Sequence, residues 1–356
     1  MNMTENLSRK IKVVSYWAMF NVILIHSHSL PDKSNTAVQF IQMFFTRSLT
    51  DWAVPFFFLV SGYFFAAKYR GDVIAFWRKK MWTLLMPYLA WALLGTIFCL
   101  PMICFNNYIT GRWIWSRSVF DSATSIGVID NLIGITRNGP IGNLALWYVR
   151  ALIVFFVFAP LWHAINCTSR WILPLCGFSL AIILPETWIP YIAIKTGSFG
   201  WFFLGIGACN YLLEEKRVPC WLEIVAATLY PLFAASISLN AANVVRLNYL
   251  APWIKAAIPF FGVVFWWGLF DRFADSQNSW KKLPNRYGQT FWVYCIHATF
   301  TSYYMATCFF LFGKSNVTSL VVLATTPVVG LYASLCSAYL VKHYARGTYL
   351  FLSGGR

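Results

Sequence analysis

The sequence predicts an all-α, polytopic integral membrane protein of about ten transmembrane helices, with both termini on the cytoplasmic side. Three observations predict it. Hydrophobic residues fill 59% of the 356 positions and charged residues only 11%, less than half the roughly 25% charged share of a soluble domain. Ten separate apolar segments approach the roughly 20 residues that a bilayer core demands. No alternation of period two recurs along the chain, so a β-barrel is not expected. The same composition excludes a disordered chain and a disulfide scaffold. A single domain over residues 1–356 is expected, without an appended soluble domain, a low-complexity tract or an internal repeat.

The chain opens on a basic stretch, Arg9, Lys10 and Lys12, that runs straight into the first apolar segment, 12–30. That segment has no A-x-A-like cleavage site and is too long for a signal-peptide core, so it reads as an uncleaved first helix. Segment 52–68 is short, and 82–104 follows a basic cluster. The longest polar stretch, 105–143, carries Trp113 and Trp115 and is expected to lie on the outer membrane surface or over a site. Segment 144–165 comes next. Segment 171–186 contains Pro174 and Pro185, so a broken or tilted helix is expected there. The remaining segments are 197–213, 220–239, 252–271, 291–312 and 318–341.

The charge sorts by side. The net charge is +16, from 28 Lys and Arg against 12 Asp and Glu. A basic excess signals nucleic acid, an anionic lipid surface or an anionic ligand. With the N-terminus inside, eighteen basic residues fall on cytoplasmic segments and eight on outer ones, while Arg150 and Lys255 lie within helices. This bias is the positive-inside rule at work, and nucleic acid is not an expected partner. The nine cysteines are scattered through apolar runs with no C-x-x-C pair, which reads as reduced packing residues. The few carboxylates sit mostly in loops, so no metal site is expected.

Ionisable or small polar residues inside membrane helices mark candidate sites. His26 and His28 stand in "NVILIHSHSL" at the outer end of the first helix. His26 lies about 15 residues into its segment, roughly 22 Å up. Such a histidine can take a proton from a hydroxyl and return it; the alternative is a hydrogen-bonding role at the interface. In "VPFFFLVSGYFF", Ser61 and Gly62 interrupt a bulky helix, either for helix packing or to admit a ligand. Arg78, Lys79 and Lys80 are a topology anchor or a phosphate site. Arg150, in "LWYVRALIVFF", faces a polar cavity or snorkels to the surface. His297, in "TFWVYCIHATF", lies about two turns into its segment and is either a packing or a catalytic group. Ser-His-Asp, Walker A, G-x-G-x-x-G and H-E-x-x-H patterns are absent.

Taken in order, these pieces resemble the acyltransferase family 3 membrane proteins, the sugar O-acyltransferases. "VILIHS" ends the first helix, and "VPFFFLVSGYFF" is like the family's P-x-F-F-x-x-S-G. A basic cluster then precedes "LLMPYLAW", and "LWYVRAL" is like L-W-F-L-x-x-L. "GSFGWFFLGIGACNYLLEEK" and "FWVYCIHATF" complete the series over nearly the whole chain. The resemblance implies transfer of an acyl group, usually acetyl, from cytoplasmic acyl-CoA to a hydroxyl of a surface or lipid-linked carbohydrate. It implies acetyl-CoA as donor cosubstrate, no permanently bound cofactor, contact with membrane lipids and a place in the bacterial inner membrane. Mapped onto this sequence, it implies catalytic roles for His26, His28 and His297. Donor binding would fall to Arg78, Lys79, Lys80 and Lys12, and acceptor binding to Arg150, Trp147, Ser61 and Gly62. One departure stands out: the family places an arginine eleven residues before its helix 1 histidine, and that position here is Ser15. Lys12, Lys80 or Arg78 would then take the arginine's part. Whether His26 acts as a base or carries the acyl group stays open at this level. The rival readings are a transporter or flippase of a lipid-linked glycan, and a non-enzymatic scaffold.

Overall fold

Helices account for nearly all the regular structure in a computed structural model of the chain, which describes residues 5–29, 35–110, 125–134, 136, 139–140, 142–189, 192–211, 217–276 and 285–355. The helices are α1 Glu5–Ile25, α2 Thr36–Met43, α3 Ala53–Lys68, α4 Val73–Lys80, α5 Met86–Thr110, α6 Ser125–Ile133, α7 Trp147–Val157 and α8 Ala159–Thr168. They continue with α9 Ile172–Ile182, α10 Thr196–Tyr211, α11 Cys220–Ala241, α12 Ala251–Ser276, α13 Thr290–Phe312, α14 Asn316–Tyr344 and α15 Arg346–Leu352. A two-stranded antiparallel hairpin, β1 Trp188–Ile189 and β2 Ile194–Lys195, is the one sheet among the described residues.

Among the described residues, five stretches are long and apolar enough to cross a bilayer: Thr36–Lys68, Val73–Cys99, Cys220–Ala241, Asn248–Asp271 and Asn316–Tyr344. The bent pair α7–α8 makes a sixth when counted as one span. The other apolar segments also form helices, with specific departures from a plain span. The first turns of α1 carry Arg9, Lys10 and Lys12. In α13, hydroxyl-bearing and aromatic side chains dilute the hydropathy, while α10 has 16 residues and α9 only 11.

Three features correct the sequence reading. Segment 52–68 is the second half of a longer unit: α2 leads through a π-helical turn, Phe44–Ser48, into α3. Segment 144–165 is not one rod but bends by 60° between α7 and α8, next to Pro160, which cannot continue the helical hydrogen-bond ladder. The carbonyls left open at the end of α7 are taken up by indole N–H groups. Trp77 Nε1 donates to Phe156 O at 2.8 Å and Trp162 Nε1 to Phe155 O at 2.9 Å. Finally, the stretch 105–143 includes helix as well as loop, because α5 continues to Thr110 and α6 follows. Trp113 and Trp115 lie outside the described residues.

The first helix is the axis of the bundle. It packs against α3, α12, α13, α14 and the π-helical turn, and Val14, Ala18, Met19 and Ile23 are fully buried. A helix that is apolar around most of its circumference belongs inside. Beside it, α3 meets α10 almost backbone to backbone: a Cβ on Gly62 would stand 1.9 Å from Phe202 O, and one on Gly205 would stand 2.0 Å from Leu59 O. Around the far side, α15 docks on α5 and α13 through Trp91 Nε1, which donates to Leu352 O at 2.9 Å, and through Tyr349 stacked on Trp292. The eight cysteines whose side chains are described are all free thiols.

Candidate functional site

Two of the candidate histidines meet. His26 follows the last turn of α1, and His297 sits in the second turn of α13; their ring centroids are 5.1 Å apart with planes at 57°. The helices bring them together because they run side by side in register. Lower on the same seam, Tyr16 packs on Tyr287 at 4.8 Å, ten residues before each histidine, a rise of roughly 15 Å.

His297 is fully buried. Its Nδ1 is 2.8 Å from Tyr294 O and 3.2 Å from Val293 O. Carbonyl oxygens only accept, so Nδ1 carries the hydrogen and Nε2 presents a lone pair. That Nε2 has no hydrogen-bond partner among the described residues. His26 itself is exposed.

From His297 a line of polar aromatics leads toward α3. Tyr294 lies 6.1 Å from His297 and 5.6 Å from Tyr148, and Tyr148 OH is 2.8 Å from Ser61 Oγ. The Tyr148 hydroxyl donates to Phe57 O at 3.1 Å, so Ser61 donates to Tyr148. Trp147 is half-buried, 5.9 Å from Phe58 on the same wall. Asn143 enters from the loop before α7. Its Nδ2 donates to Cys295 O at 2.7 Å, while its buried Oδ1 has no partner among the described residues.

Other candidates are placed elsewhere. Gly62 faces the α10 backbone. Arg150 is 5% exposed and holds two loops: NH1 donates to Gly134 O at 3.2 Å and NH2 to Ala193 O at 2.6 Å. It therefore neither snorkels nor lies open to a ligand. His28 ties the end of α1 to the π-helical turn. The Thr46 hydroxyl donates to Gln42 O at 2.7 Å, so it accepts from His28 Nδ1 at 3.1 Å.

The basic cluster sits far below the histidines. Arg78 and Lys79 line an open depression of about 530 Å³ with Asp72, Ile74, Ala75 and Trp82. Lys80 turns away, its ammonium 4.1 Å from the Phe156 ring centre. This depression is about a dozen residues, or roughly 18 Å of helix, before Trp91. Trp91 itself contacts Trp292, five residues before His297. Lys12 is exposed on α1. Lys10 enters the bundle instead, bonded to Asp271 and 3.9 Å over the Trp267 ring.

Sequence reasoning missed Tyr148, Tyr294 and Asn143, which the fold delivers to the histidines from distant segments. It also missed Arg286, which stands at the foot of the α1–α13 seam with its guanidinium 5.5 Å from the Tyr287 ring. Arg286 lies in the 3-10 turn Asn285–Gly288 just before α13, eleven residues ahead of His297, and that spacing was the available signal. Among the described residues no group of three or more His, Cys, Asp or Glu side chains could hold a metal ion.

No curated protein and no solved structure matches the chain. One family profile does, described as an acyltransferase domain, and it covers residues 11–341, from the second turn of α1 to the last turn of α14. The chain belongs to acyltransferase family 3.

Proposed function

We propose that the protein is a bacterial inner-membrane O-acetyltransferase that moves an acetyl group from cytoplasmic acetyl-CoA to a hydroxyl of a surface or lipid-linked carbohydrate. In this reading the ten apolar segments all cross the bilayer, with both termini inside. The observation that carries the reading is the His26–His297 pair: a buried imidazole whose Nδ1–H is fixed on backbone carbonyls and whose Nε2 has no partner among the described residues, beside a second, exposed imidazole.

The acceptor oxygen attacks the thioester carbonyl carbon and the C–S bond breaks. The hydroxyl proton passes to His26 and from there to the departing thiolate. His297 steadies His26 by accepting a hydrogen bond at Nε2 once the two rings come into line. The aromatic wall of Trp147, Tyr148 and Tyr294 offers faces for a sugar ring. At the inner side, Arg78 and Lys79 hold the donor's phosphates, with Trp82 as a flat apolar partner and Arg286 nearer the seam. Lys80 and Lys12 add positive field, while Gly62 and Arg150 hold the walls in place.

The test uses the full chain in proteoliposomes with acetyl-CoA, following thiol release and the mass of the host's glycans. His26→Ala and His297→Gln are expected to accumulate normally and to lose about 10²- to 10⁴-fold in turnover, the usual worth of a positioned acid–base group. Full glycan acetylation with His26→Ala would sink the assignment.

A further inference from the structure

Most basic side chains within the described bundle have a visible task. Lys10 pairs with Asp271, Lys195 and Lys255 share Glu186, and Arg150 clamps two carbonyls. Arg47, like the exposed outer-side Arg246 and Lys314, has none: no hydrogen bond, ion pair or ring contact engages it among the described residues. The positive-inside rule gives no reason for it either, since this turn lies at the outer end of α1 in the proposed topology.

Yet Arg47 is rigidly mounted. It belongs to the π-helical turn Phe44–Ser48, a geometry that is uncommon and often found at functional sites. Both its neighbours are buried, Thr46 at 0% and Ser48 at 1% exposure, and each is tied to a different helix. Thr46 accepts from His28, just past the end of α1, and Ser48 Oγ is 2.9 Å from Ser238 Oγ of α11. Because Ser238 donates onward to Ala234 O, Ser48 is the donor in that pair.

The turn also faces the site. It packs on α1, and its Thr46 bonds His28, two residues beyond His26.

We propose that Arg47 is an anion-binding residue of the acceptor subsite, so that the hydroxyl-bearing substrate reaches His26 with a phosphate or carboxylate held by this guanidinium. The inference rests on the acyl-transfer reading and narrows its substrate class to anionic carbohydrates. A planar guanidinium suits either anion through paired N–H donors. The phosphate would belong to a lipid-linked carrier, the carboxylate to an acidic sugar.

The test measures binding of glucose, glucose 1-phosphate and glucuronate to the full chain in nanodiscs, for the native protein, Arg47→Gln and Arg47→Lys. The native protein is expected to bind a charged sugar at least tenfold more tightly than glucose. Preference for the phosphate or the carboxylate identifies the source. Arg47→Gln should bring the charged sugar down to the level of glucose, and Arg47→Lys should keep part of the difference. Equal or undetectable binding of all three sugars by the native protein, or an Arg47→Gln variant that keeps the preference, overturns the proposal. Thiol release from acetyl-CoA is followed in parallel. If it depends on His26 while the charge preference is missing, only the anion subsite fails. If no thiol is released while the preference holds and vanishes in Arg47→Gln, the acyl-transfer reading fails and an anion site remains.

Discussion

Adding one methyl group to Gly62 separates its two possible roles, helix packing and ligand access. In Gly62→Ala the new Cβ would lie 1.9 Å from Phe202 O, whereas real Cβ atoms essentially never approach closer than 3.0 Å. The α3 and α10 backbones must therefore separate by at least about 1.1 Å, and no rotamer change can relieve a clash with a backbone carbonyl. Overpacking of this kind costs typically 1–3 kcal/mol, and a rigid partner puts Gly62 at about 3 kcal/mol. For a chain of this size that lowers the melting temperature by about 4 °C. Gly205→Ala meets Leu59 O at 2.0 Å across the same contact and should cost as much. Because one separation of the helices relieves both clashes, the double variant should cost clearly less than the two singles together. Thermal unfolding of purified protein in detergent, read beside turnover per folded molecule, checks this. If Gly62→Ala melted like the native protein but lost turnover, Gly62 would face the ligand path and the packing argument would be refuted.

Arg150→Leu should behave as a structural lesion, since it strands the carbonyls of Gly134 and Ala193 at about 1–3 kcal/mol for each buried group left unsatisfied. A lower melting temperature is expected; an unchanged one with a raised acceptor KM would instead make Arg150 a substrate contact. Glu186 gives a pH signature. Burial pushes its carboxyl up, but the hydrogen bonds and charges of Lys195 and Lys255 outweigh this and hold it below its ordinary value of 4.5. A depressed carboxylate stabilises the fold above that value, and the contribution fades as pH falls through the lowered one. The native protein should therefore lose a small increment of stability below about pH 4.5 that Glu186→Gln lacks, small because both partners are partly exposed; identical acid-side melting curves would remove the ion pair from the account.

How much of this was legible depends on the range of the signal. Apolar length marks a helix locally, and the helices stand where the apolar segments predicted them. The bend after Val157 is only half local: Pro160 is visible, but the indole that stabilises the bend comes from Trp77 of α4. The helix Thr36–Met43 is eight residues long, too short to show a period against its surroundings. The chemistry divides in the same way. Histidine, serine and arginine in apolar helices flag themselves by residue type. What each touches does not, because carbonyl partners such as Ala193 and Gly134 carry no side-chain signature, and a glycine that packs looks like a glycine that admits a ligand.

The histidine pair shows the limit most clearly. Measured from the start of its own segment, His26 is high in the membrane and His297 is two turns from the inner face, so the two seem to belong to different levels. The levels agree because the helices do not begin together. Tyr16 and Tyr287 touch, as do His26 and His297, and each pair is separated by the same 271 positions in sequence. α1 and the run from the 3-10 turn Asn285–Gly288 into α13 therefore climb side by side in register, and α1 extends below the start of α13 by its charged first turns. Depth in a bundle is set by inter-helix register, and a single sequence gives each helix its length but not its offset from the next. Once that offset is known, the same count that separated the histidines places them opposite each other, with Arg286 at the foot of their shared seam.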